Sequence, residues 1–245
     1  MAEKIRRVEK NGLRFYRVTM DGEVLGEFPS ITTILGETSD KSGLEKWRQR
    51  VGEEEADRIS ELSRQRGTVM HRLIELYKPL QGTKQERLGQ LKSLVKTDPE
   101  INEVPVEFHQ PGWDFFYKFY YNSSMFFDQV EEVIAAEKFL WSKYGYAGTV
   151  DNVSRMTNDK VLVIDYKNSR KPKQEAWIQD YFIQGSAYFV AIWERLGIKP
   201  DGVEIWIANE QESIPQTFTL TQQDVKYYFQ QFINRLKQFN TIHND

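Results

Sequence analysis

The stretch "VLVIDYKN", residues 161–168, constrains the fold more than any other part of the chain. Four consecutive apolar residues read as a buried strand, and the run ends on Asp165 and Lys167, two positions apart. Side chains two apart in a strand point to one face, ~7 Å apart along the chain. A charge is costly to bury unless it is paired or bound to a metal. Something must therefore compensate the charges that close this strand.

The flanking pattern predicts the sheet around it. Residues 130–142 and 144–156 read as two further strands, with a turn at Asn158-Asp159 before the third. A long amphipathic helix covers 174–197 and ends on Gly197. A fourth strand follows over 201–209, and Thr221 with Asp224 spells a capping box that opens a C-terminal helix. Upstream, residues 13–28 read as a hairpin turning at Asp21-Gly22. "FPSITTIL" enters a helix with Pro29 and Ser30 as start signals. Residues 43–77 are helical in period and highly charged, with a break expected near Gly67, and 80–110 read as one short helix and a loop. Trp113, Phe116 and Tyr120 fall at helical spacing, a stripe better suited to core packing than to stacking bases. This order predicts an α/β fold with a mixed sheet between helices. No repeat or low-complexity linker divides it, so a single domain is expected over 1–245.

Composition removes several classes of function. At 245 residues and 40% hydrophobic the chain can bury a full core. A net charge of −3 argues against a positive coat, so a nucleic-acid partner would need a local basic groove. The absence of cysteine excludes disulfides, thiolate zinc sites and cysteine-held iron–sulfur clusters. Three histidines leave little room for a histidine-rich metal site. No run is long enough to span a bilayer, and the first residues lack the apolar core of a secretion signal. The expectation is a soluble cytoplasmic protein with no membrane partner.

The strand before the Asp-x-Lys run carries "GYAGTVD", ending on Asp151. If the two strands pair as a hairpin, Asp151 lies beside Asp165. Close carboxylates repel, and they resolve by sharing a proton or binding a cation. Oxygen ligands suit Mg²⁺ or Mn²⁺. The alternative is an Asp165–Lys167 salt bridge with Asp151 as a turn residue. A second Asp-x-Lys at Asp224 to Lys226, in a helix's first turn, shows how common the spelling is. His71 with Glu75, and Gln184 with Tyr188, each stand at i and i+4 on a helical face. Either pair is compatible with ordinary helix packing.

Taken in order, Gly67 to His71, Gly148 to Asp151, Asp165 to Lys167 and Gln184 to Tyr188 resemble the PD-(D/E)XK nuclease superfamily, in its RecB-like branch. "FPSITTIL", the Trp47-Arg48 helix after it and "VIDYKNSRKPK" are similar to the group of the mitochondrial genome maintenance exonuclease and its phage and bacterial relatives. The resemblance runs from about Phe28 to the C-terminus and is thinnest over 80–130. It implies a restriction-endonuclease-like catalytic core over 131–245, with an N-terminal hairpin over 13–28 and a mainly helical cover over 43–130. It implies Asp151 and Asp165 as metal ligands, His71 as an accessory ligand and Lys167 as the catalytic lysine. Gln184, Tyr188 and Glu75 would support the site, and Glu137 sits where relatives often carry an acid. Ser30, Thr32 and Thr33 would grip a phosphate or strand end, while Trp47 and Arg48 would face a single strand. Arg170, Lys171 and Lys173 would follow the backbone as a basic tongue, or form a solvated loop. The implied cofactor is Mg²⁺ or Mn²⁺ with no iron–sulfur cluster, and the implied partner is DNA, single-stranded with a free end. The implied activity is an exonuclease of replication, repair or recombination in a bacterial or phage-infected cell. A flap or duplex nuclease of recombination would carry the same motifs. A non-catalytic end-binding module would have no need of Asp151, Asp165 and Lys167 together.

Overall fold

The computed structural model describes residues 2–243 and begins with three antiparallel strands, β1 (Glu3–Lys10), β2 (Leu13–Met20) and β3 (Glu23–Pro29). Both connections are two-residue turns with positive φ throughout: Asn11 at 51° and Gly12 at 75°, then Asp21 at 50° and Gly22 at 92°. That pattern suits a tight hairpin whose twist matches its strands. The hairpin expected over 13–28 is thus part of a three-stranded sheet. β1 escaped the pattern because "EKIRRVEK" carries only Ile5 and Val8 as half-buried apolar residues on an exposed edge.

Ser30 links this sheet to the rest. It caps α1 (Ile31–Thr38) by accepting from the Thr33 amide at 2.9 Å, and its backbone bridges Ala147. Next come α2 (Ser42–Val51) and α3 (Glu53–Tyr77). The break falls at Gly52, with φ of 89°, and not at Gly67. Gly67 lies inside α3, where a Cβ would sit 2.7 Å from the Asn168 amide nitrogen. Glycine there admits close approach of helix to sheet rather than a kink. Residues 80–110, expected to hold one helix and a loop, form α4 (Lys84–Val95) and α5 (Pro99–Asn102), capped by Thr83 and Asp98, before a short 3₁₀ turn. In α6 (His109–Tyr121), Phe116 and Tyr120 are buried and Trp113 is half-buried, so the aromatic stripe does build core.

The second sheet holds β4 (Val130–Ser142), β5 (Tyr146–Met156), β6 (Val161–Ser169), β7 (Gly202–Asn209) and β8 (Gln216–Thr221) in that spatial order. β6 and β7 are parallel and the other pairs antiparallel. The crossover is α7 (Gln179–Leu196), and α8 (Gln222–His243) follows the Thr221–Asp224 capping box. β8 was not anticipated: its polar "QTFTLT" borders the sheet and pairs on one side only.

β6 explains its own apolar run. Val161 and Val163 pack in the core that contains α1, α7 and α8, while Leu162, Ile164 and Tyr166 pack in the core that contains α3 and α6. A strand buried on both faces needs no polar alternation. By the same alternation, Asp165 and Lys167 face α7. No helix among the described residues is long and apolar enough to cross a membrane.

Candidate active site

The β5–β6 ladder ends at Asn152–Ile164. Beyond it the Asp151 carboxylate substitutes for a backbone acceptor, taking the Tyr166 amide at 2.9 Å. The acid is therefore held by the sheet at the point where the two strands part. His71, from α3, brings Nδ1 to 3.5 Å of the Asp151 carboxylate and stands edge-on to the Tyr166 ring. Glu137 falls opposite Asp151, between the registered pairs Ala136–Asn152 and Lys138–Val150. Its φ is 44°, the left-handed region that a side chain other than glycine seldom adopts. One ligand atom from each of His71, Glu137 and Asp151 lies within 4.8 Å of the others.

Asp165 is engaged differently. Its carboxylate is ion-paired with Lys167 and accepts from Gln184 Nε2 at 3.3 Å, and the residue is 1% exposed. Lys167 also lies 5.2 Å over the Tyr181 ring. The structure thus brings Asp151, His71 and Glu137 into one cluster, with the Asp165–Lys167 pair on the neighbouring strand.

Charge is crowded here. Burial pushes the Glu137 carboxyl up to about 8, with Asp151 and Glu75 adding to the shift. Burial also raises Asp165, where Lys167 opposes the rise and Asp151 adds to it. Burial lowers the Lys167 ammonium, but Asp165 and Asp151 more than offset this and hold it protonated. Burial depresses His71 despite Asp151 nearby, which favours a neutral imidazole with a lone pair to give. Lys78, over the Tyr166 ring at 5.2 Å, is drawn down to about 8 by its own burial. Two carboxylates and a neutral imidazole, with Glu137 raised toward neutrality chiefly by burial and further by Asp151, form a donor set suited to a divalent cation.

The cluster opens into a cavity of about 760 Å³ that is also lined by Thr32, Glu75, Gln184 and Tyr188. Other anticipated residues stand elsewhere. Ser30 is 2% exposed and spent on the α1 cap, and Thr33 lines an adjoining cleft. Trp47 and Arg48 lie on α2 outside the cavity lining, where Arg48 braces Glu53 and Asp57. Asp165, Lys167, Arg170, Lys171 and Lys173 also lie outside the lining. The sequence reading missed Lys78, though His71, Glu75 and Lys78 share one face at i, i+4 and i+7. It missed Arg7 and Arg14, which line the cavity from β1 and β2 and carry no local signal.

Gly148 shows how tightly β5 and α7 fit. A Cβ there would lie 2.8 Å from the Tyr188 ring and 3.2 Å from Ile31. Gly148→Ala is expected to destabilise the protein by about 1–3 kcal/mol through overpacking, read as a lower midpoint in urea unfolding.

Residues 43–244 match the family model of the PD-(D/E)XK nuclease superfamily. No curated protein matches the chain. Among solved structures, a provisionally named exonuclease from Eubacterium rectale is similar at 12% identity and a TM-score of 0.42, over 66% of this chain and 63% of that one. The chain therefore spans less than two thirds of that protein's length. The structure of SSO0001 is similar at 13% identity and a TM-score of 0.33, over 72% of this chain and 84% of that one.

Proposed function

The chain belongs to the PD-(D/E)XK nuclease superfamily, and we propose that it is a Mg²⁺- or Mn²⁺-dependent DNA exonuclease that trims single-stranded ends. One observation carries the metal-dependent chemistry: the His71–Glu137–Asp151 cluster lies beside the Asp165–Lys167 pair where β5 and β6 part. The exonuclease assignment and the single-strand preference rest on the "FPSITTIL" and "VIDYKNSRKPK" resemblance.

Asp151, Glu137 and His71 would hold the cation, with Asp165 completing the acidic set from β6. A divalent ion bound there supplies charge that polarises a phosphodiester and lowers the pKa of a coordinated water. Lys167 acts on the phosphate oxygens as negative charge develops. Its contacts with Asp165 and Tyr181 fix the ammonium in place before substrate arrives. Gln184 orients Asp165 from α7. The N-terminal sheet, outside the matched region, belongs to the same domain in this reading, since Tyr16 shares a hydrogen bond of 3.1 Å with Thr149 on β5.

The test compares end-labelled linear single strands, linear duplex and circular single strands, each with Mg²⁺, Mn²⁺ or EDTA. Linear single strands are expected to be degraded with either metal and spared in EDTA, while circles persist. Cutting of circles would replace the exonuclease reading with an endonuclease one.

A further inference from the structure

An acid cluster repels the phosphate backbone it must receive, so a strand entering this cavity needs cations beside the acids. The guanidinium groups lining the cavity are not equally available. Arg72 is paired with Glu75 at 2.7 Å, Asp98 at 2.7 Å and Glu100 at 3.1 Å, and Arg64 is paired with Glu61 at 2.6 Å. Arg7 and Arg14 line the same cavity from the N-terminal sheet. Among the described residues, neither has a carboxylate within 4.0 Å.

Their placement follows from strand register. Arg7 pairs with Tyr16, and Arg14 lies two residues before Tyr16 on the same face of β2. Tyr16 itself is 3% exposed and tied to Thr149, two residues before Asp151 on β5. The Arg14 carbonyl accepts from the Ser30 amide at 3.0 Å and the Thr33 hydroxyl at 3.1 Å. Backbone pairing thus sets these two exposed arginines in the lining of the cavity that also holds Glu137 and Asp151. A second cleft of about 280 Å³, running along α1, shares Arg7, Arg14 and Thr32 with the main cavity. Glu9 and Glu37 also line that cleft, and Glu37 has its own partners in Lys41 and His243.

We propose that Arg7 and Arg14 form a phosphate-binding subsite that holds a nucleic-acid backbone as it passes between the acid cluster and the cleft beside α1, an inference that rests on the nuclease reading above. The ligand class is a phosphodiester chain, recognised by charge and guanidinium hydrogen bonds without reference to base. On the edge strand β1, Arg7 also guards against edge-to-edge pairing. Arg6 supplies the control, because it is exposed on the same strand but points to the opposite face, opposite Arg17.

The experiment measures binding of a fluorescein-labelled phosphorothioate single strand in Mg²⁺ by anisotropy, over a series of salt concentrations. Arg7→Gln/Arg14→Gln is expected to weaken binding about tenfold and to flatten the logarithmic salt slope by about 1.4, at ~0.7 per phosphate contact on a single strand. Arg6→Gln is expected to stay within about twofold of wild type, as a surface change away from the path. Unchanged binding in the double variant overturns the subsite, and so does an equal loss in Arg6→Gln. A wild-type protein that binds the strand but cleaves no nucleic acid would sink the nuclease reading while this comparison still decides the subsite. A wild-type protein that binds no strand overturns both.

Discussion

Replacing Lys167 with alanine is expected to slow phosphodiester cleavage by about 10²–10³-fold, the effect of removing one preorganised charge-stabilising group. The stability of the variant matters as much as its rate, because Lys167 is the ion-pair partner of a buried carboxylate. Breaking a buried pair from one side costs up to about 3–5 kcal/mol, as the remaining charge is left uncompensated. Here the loss is moderated, since burial already biases Asp165 toward its protonated form. Without Lys167 that bias grows, so the destabilisation should be larger at pH 8 than at pH 5. Lys167→Ala/Asp165→Asn should recover the stability and none of the cleavage. Lys226→Ala, in the other Asp-x-Lys on the first turn of α8, should leave both unchanged. Single-turnover cleavage and urea unfolding at the two pH values check all three variants. Wild-type rates in folded Lys167→Ala would remove the lysine from the chemistry.

Glu137→Gln should move activity and stability in opposite directions. Cleavage is expected to fall by at least about 10²-fold, the upper range for changes even one shell removed from a metal. The metal-free protein should become more stable near pH 8. Folded Glu137 holds a proton up to about pH 8, whereas the unfolded carboxyl releases it near 4.5. Between those values the folded state binds more protons than the unfolded state, so metal-free stability falls as pH rises from about 4.5 through about 8. The contribution of one such group is at most ~1.4 kcal/mol per pH unit. Asp165 adds in the same direction. Mg²⁺ or Mn²⁺ should restore stability in the wild type by binding the folded state alone, by about 2.7 kcal/mol at a hundredfold excess over Kd. In Glu137→Gln both the pH-dependent decline and the metal-induced gain should shrink. Thermal unfolding across pH, with and without metal, measures both. An unaltered metal shift in this variant would place the cation elsewhere.

The legible parts of the protein share one property: their signal is local. β4, β6 and β7 announce themselves through apolar and β-branched runs, α7 through its period and Gly197, and α8 through Thr221 and Asp224. The missed strands β1 and β8 lie at sheet edges, where polar residues are tolerated and the pairing partner alone makes the strand. The misplaced helix break has a related cause. Gly67 carries a helix-breaking preference of about 1 kcal/mol, but inside α3 it serves contact with Asn168, and Arg66 donates to that asparagine at 2.9 Å.

The sequence alone determined that an acid and a lysine share one face at the end of a buried strand, with Asp151 on the strand before it. Side-chain alternation at period 2 requires the first, and a short hairpin connection the second. Tertiary structure decided how those charges are distributed. The left-handed backbone at Glu137 puts a third acid opposite Asp151, α3 delivers His71 to the same point, and α7 ties Asp165 to Gln184. It also decided that arginines from the first two strands border the cavity. These contacts join residues far apart in the chain, and their geometry depends on packing between elements, which no local pattern encodes.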